Sequence, residues 1–131
     1  MLFYEEVTDS LYWIFGYQQD QPQLNSDNII RLPYNIGLTG IAIEKKTCVV
    51  FKKGERTPGF VSEIDNFNNI QGVRNMLICP FFDENNKIRG VIQLMNKIGG
   101  DRIPDQDILE ISSICPSLSQ VLKLVDIARD V

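Results

Sequence analysis

The sequence contains no histidine. That absence excludes Ser-His-Asp and Cys-His catalysis, histidine metal sites and histidine-ligated haem. Cysteine is scarce: Cys48, Cys79 and Cys115 are the only three, and they lack metal-type spacing. Each sits inside an apolar run, which reads as a buried, reduced thiol of a cytoplasmic protein. No apolar run approaches the roughly 18 residues of a membrane-spanning helix. Met1–Glu6 has no basic region followed by an apolar stretch, so it does not read as a signal peptide. Positive charge is also short, with 13 lysines and arginines against 17 acids and a net charge of −4. A duplex nucleic-acid binder shows the opposite balance. What remains is an ordinary globular composition, 44% hydrophobic and 23% charged, over 131 residues. That is the size of one domain, taken here as 1–131.

Two short apolar runs, 2–7 and 11–15, flank the turn residues Thr8-Asp9-Ser10 and predict a hairpin of Leu2–Val7 with Leu11–Phe15. Residues 16–28 are almost wholly polar and predict a flexible loop, either a lid or a connector. Ile29–Leu32 reads as a strand stopped by Pro33. Residues 37–45 read as a short helix, with Leu38, Ile41 and Ala42 at i, i+3, i+4. Thr47–Phe51 is a β-branched strand. Thr57 as N-cap and Pro58 at the first helical position predict a second short helix carrying Phe60, Val61 and Ile64.

Asn75–Phe82 and Ile88–Asn96 form the strongest strand pair, joined by a five-residue polar connection. Within the second arm, Val91, Gln93 and Met95 share one face. Gln93 is either a solvated edge residue or a hydrogen-bonding group in a ligand cavity. A long helix covers residues 104–130. Ile108, Ile111, Cys115, Leu118, Leu122 and Val125 form one stripe along it, and Ile114, Val121 and Ala128 a second, suited to a partner helix. Pro116 should bend this helix.

Four strings now stand in register. They are Ile30-Arg31-Leu32-Pro33 with Gly37-Leu38-Thr39-Gly40, then Arg74 to Pro80, then Ile88 to Lys97. Together they resemble a GAF domain of the type repeated in the regulatory half of cyclic nucleotide phosphodiesterases. The resemblance runs from Leu2 to about Val125. It implies an α+β fold of the GAF/PAS-like kind, a six-stranded antiparallel sheet with short helices over one face and a long C-terminal helix on the other. The resemblance also implies a long helix ahead of the first strand, and its expected lack here would either weaken dimerisation or mark this chain as one fragment of a larger polypeptide. A hollow between the sheet and the short helices is the expected ligand pocket.

By resemblance, the pocket residues are Phe15, Leu38, Thr39, Val61, Asp65, Asn68, Asn69, Val73 and Gln93. The expected regulatory ligand is a cyclic nucleotide, cGMP or cAMP. An anion would meet the helix end at Thr57-Pro58, with Lys52, Lys53 and Arg56 nearby either as attractors or as a solvated loop. Asp65 is either a ligand contact or a surface or helix-capping carboxylate. Lys97 and Asp107 are the expected salt bridge between the last strand and the last helix. Departures from the family pattern are Ile103 and Ile108 in place of a phenylalanine and an acid, and Val73 in place of a threonine.

The implied function is that of a non-catalytic regulatory domain, without catalytic residues or metal. It is either a small-ligand sensor or a degenerate version used for protein contact within a larger protein, with a partner or dimer through helix 104–130. The alternative is a GAF-fold enzyme of the free methionine sulfoxide reductase type, since such enzymes use three cysteines.

Overall fold

A computed structural model describes residues 1–6, 8–18, 21–67, 72–97, 100 and 102–129, with backbone alone for 13–18, 21–29, 125–127 and 129. In chain order the elements are β1 (Leu2–Glu5), β2 (Ser10–Gln18), β3 (Gln21–Leu32), α1 (Gly37–Lys45), β4 (Val49–Lys52), α2 (Ser62–Asp65), β5 (Asn75–Phe82), β6 (Ile88–Met95) and α3 (Asp105–Arg129). The six strands form one antiparallel sheet in the order β3-β2-β1-β6-β5-β4. The α+β architecture is therefore the expected one.

β5 shows why the sheet is covered on both faces. Residues 75 to 81 are all buried, so the strand is a continuous apolar run rather than an alternating one. Met76 and Ile78 face a core that includes Leu38 and Ala42 of α1. Leu77, Cys79 and Phe81 face the opposite way, into a cluster with Cys115, Ile108, Ile111, Leu118 and Leu122 of α3. The two periods, 2 along the strand and 3.6 along the helix, bring these side chains together. Thus α1 and α2 lie over one face of the sheet and α3 over the other.

Pro80 inside this interior strand has a local explanation. The Lys53 amide bonds the Arg74 carbonyl at 2.8 Å, and Phe51 and Val49 lie opposite Met76 and Ile78. Alternate residues of β5, ending at residue 80, therefore turn their main-chain polar groups toward β4. Since β4 pairs only as far as Ile78, the amide that Pro80 lacks has no ladder partner to lose.

Three expectations are corrected at this level. Within the expected loop 16–28, Gly16–Gln18 instead end β2 and Gln21–Asn28 belong to β3, paired as Phe15↔Asn25, Gly16↔Leu24 and Gln18↔Gln21, while residues 19 and 20 lie outside the described residues. A main-chain ladder needs no apolar side chain, so composition alone did not reveal this hairpin. The first hairpin closes earlier than expected, with β1 ending at Glu5 and a turn in which the Asp9 amide bonds the Glu6 carbonyl at 3.2 Å. Cys48 and Cys79 are not reduced thiols but a disulfide. Their Cα atoms are 4.3 Å apart because Val49 pairs with Ile78, which makes Cys48 and Cys79 the next opposed pair. Only the pairing register could show that.

On the α3 face, the helix continues through Pro116. Pro104 lies just before it, its carbonyl accepting from the amides of Asp107 (3.0 Å) and Ile108 (3.2 Å). Beside it, Lys97 Nζ and Asp107 Oδ2 form an ion pair that ties the chain after β6 to α3.

Candidate functional site

The site is built at the start of α1. The first amides of a helix have no partner within it. Ile36, the residue flanking α1, has no side-chain oxygen to cap them. The missing acceptor comes from 27 residues further along the chain. Leu38 N donates to Asp65 Oδ2 at 2.8 Å. Thr39 donates twice to Asp65 Oδ1, from its amide at 3.1 Å and from Oγ1 at 3.2 Å. A fourth donor, Val61 N, reaches Oδ2 at 2.9 Å. The carboxylate is 0% exposed. It is a buried charge held entirely by hydrogen-bond donors and by the positive end of a nine-residue helix.

The same residue is tied down through its main chain. Asp65 N donates to the Val61 carbonyl at 2.7 Å, closing the single turn of α2. Gln93 Nε2, projecting from β6, donates to the Asp65 carbonyl and also meets Met76 Sδ at 3.4 Å. Gln93 therefore links the sheet to α2. It stands at no sheet edge, since β6 lies between β1 and β5, and its Nε2 is engaged by protein.

Of the residues singled out from the sequence, Leu38, Thr39, Val61, Asp65 and Gln93 come together as one hydrogen-bonded cluster. Val73 packs on the apolar core beside it. Phe15 lies in β2, but its side chain is outside the described residues, as are Asn68 and Asn69 altogether. Lys52 pairs with Glu55 at 3.6 Å. Two surface hollows, of about 370 and 390 Å³, both lie against α3 on the other face of the sheet.

The expected helix at Thr57-Pro58 is corrected. Phe60 N bonds the Thr57 carbonyl at 3.3 Å, and Gly59 has φ +92°. Pro-Gly at the centre of such a turn sets a type II β-turn, which needs a positive φ at its second central residue. Helix α2 begins only at Ser62 and is four residues long. The anion-binding helix end expected at residues 57–58 is therefore not formed.

One polar residue escaped notice in the sequence. Asn75 is fully buried, its Oδ1 accepting from Lys97 N at 2.9 Å and its Nδ2 donating to the Gly100 carbonyl at 3.1 Å. It anchors the segment leading to α3. The signal available was an asparagine opening an otherwise apolar strand.

Comparison with known proteins finds no matching family model and no matching curated protein. Solved structures do match. A free methionine-R-sulfoxide reductase from Neisseria meningitidis in complex with its substrate has a TM-score of 0.63 and 17% identity, over 91% of this chain and 62% of that one. The reduced form of fRMsr of Staphylococcus aureus gives 0.56 and 19%, over 87% and 63%. An nlh2 GAF domain of A. aeolicus in an inactive state gives 0.64 and 13%, over 94% and 72%. The chain thus spans less than two thirds of either reductase. Enzymes and regulatory domains both occur among these neighbours, and at such identities what they share with this chain is the architecture: the protein has the GAF fold.

Proposed function

We propose that this chain is a non-catalytic regulatory module, one unit of a larger protein, that acts through protein contact rather than through a bound cyclic nucleotide. The observation that carries this reading is the Asp65 carboxylate. It occupies the amide cluster that an anionic ligand of this face would need, and its four donors are satisfied within the chain. An external ligand would have to displace a buried charge from partners 2.8–3.2 Å away, at several kcal/mol. Isothermal calorimetry with cyclic AMP and cyclic GMP on the whole chain is expected to give no saturable heat at high micromolar ligand. A saturable one-to-one isotherm would return the sensor reading.

Protein contact is supported by α3. Its stripe of Ile108, Ile111, Cys115, Leu118 and Leu122 packs on the sheet, while Leu109, Ile114, Val121 and Leu124 stay 65%, 46%, 55% and 66% exposed. Ile114, Val121 and the exposed Ala128 follow one another at seven-residue intervals, the repeat of a helix-pairing seam. Sedimentation of the wild type is expected to show concentration-dependent association. The double substitution Ile114→Asp, Val121→Asp should abolish it with the thermal midpoint shifted by no more than a few degrees, because neither side chain is in the core. A wild type that stays monomeric at millimolar concentration would count against this use of α3.

A second reading, reduction of free methionine sulfoxide, is favoured by two of the structural neighbours. Against it, Cys48, Cys79 and Cys115 all sit in the cluster beneath α3, on the face opposite Asp65 and Gln93. Burial pushes the Cys115 thiol up, which makes it a poor nucleophile. Thiol-dependent turnover of free methionine-R-sulfoxide is the result that would restore the enzyme reading.

A further inference from the structure

We infer that Cys48 and Cys79 form a reversible dithiol–disulfide latch, opened by a dithiol reductant, that locks edge strand β4 and the chain segment carrying α2. Four observations carry it. First, the strand ladder itself holds the two cysteines opposite one another: Val49 is paired with Ile78, and the cysteine Cα atoms are 4.3 Å apart. After reduction the thiols stay neighbours, so reoxidation needs no search. Second, β4 is a four-residue edge strand whose one neighbour among the described residues is β5, the kind of element that opens without global unfolding. Third, the bond closes a sequence separation of 31, a loop containing Val61, α2 and Asp65. Its state therefore changes the freedom of the segment that caps α1.

Access is the fourth observation. Cys79 is 0% exposed, whereas Cys48 lies half-buried just before β4. The attacking thiolate therefore meets Cys48 Sγ, a mixed disulfide forms there, and Cys79 Sγ leaves and takes a proton. The reductant's second thiol then attacks its own mixed-disulfide sulfur and frees Cys48. The products are two cysteine thiols and one oxidised dithiol, with two electrons and two protons transferred. Ser112 Oγ of α3, 3.1 Å from Cys48 Sγ, gives the released thiol a hydrogen-bond partner. Cys115 takes no part, being buried with its thiol pushed up.

The experiment equilibrates the native chain with dithiothreitol at graded ratios of reduced to oxidised form, then quenches with acid, alkylates and weighs the peptides. Cys48 and Cys79 should convert together and reversibly, with Cys115 unmodified until denaturant is added. Hydrogen exchange at residues 49–52 should quicken about tenfold or more in the reduced form while the β5–β6 amides hold. Cys48→Ser should reproduce the reduced exchange pattern, and Cys115→Ser should leave the redox titration unchanged. A bond that resists dithiothreitol until the protein unfolds would overturn the proposal. So would a chain that stays a dithiol at every ratio, or exchange at residues 49–52 that ignores the redox state.

Discussion

Asp65→Ala lowers the stability of the domain by about 3–5 kcal/mol, since each buried donor left unpaired costs roughly 1–3 kcal/mol and relaxation recovers part of the sum. Three amides, of Leu38, Thr39 and Val61, and the Thr39 hydroxyl lose their acceptor together. Leu38 and Thr39 are themselves buried, which limits water's ability to replace the carboxylate. A domain of this size has only about 5–15 kcal/mol in total, so the loss is a large fraction of it. Urea unfolding followed by circular dichroism measures it. Asp65→Asn keeps the shape and one acceptor oxygen but turns an amide group toward donors, so it should cost about half as much. A loss under about 1 kcal/mol for Asp65→Ala would mean that the cap is not what holds α1 to α2.

Gly37→Ala is the second large effect, and it depends on the first. An added Cβ would lie 2.6 Å from Asp65 Oδ2 and 2.8 Å from Oδ1. The backbone there has φ +76°, a region that only glycine occupies freely. Overpacking costs about 1–3 kcal/mol, and left-handed strain adds about 1–2. The expected total is about 2–5 kcal/mol, read from the same urea curves. In the Asp65→Ala background the collision is gone and only the backbone part remains. The double-mutant cycle should then show coupling of about 1–3 kcal/mol, with the two losses summing to less than their parts. Strict additivity would separate Gly37 from the carboxylate and undo the description of the site given above.

How much of this was legible from residues alone depends on the range of the interaction. The paired apolar runs at 75–82 and 88–95 and the seven-residue spacing along α3 are local patterns, and both reappear in the fold. The polar hairpin arms at 16–28 carry no apolar period, so their pairing left no mark in composition. Thr57-Pro58-Gly59 satisfied two rules at once, helix start and β-turn, and the turn won because glycine accepts the positive φ. Asp65 was ambiguous for a deeper reason. A carboxylate that caps a helix and one that meets a ligand are the same residue in the same sequence context. What separates them is which donors surround it, and three of the four lie 26 or 27 positions away.

Side-chain chemistry and periodicity, both carried within a few residues, were enough to mark the strand pair β5–β6, the inward stripe of α3 and the exclusion of histidine chemistry, and the resemblance of four short strings implied the fold class. Strand register and the docking of α2 on α1 settled the rest. They brought Cys48 against Cys79 and placed Asp65 on the amides of Leu38 and Thr39. Such meetings join distant segments through a shared core, and no local window of sequence contains both partners.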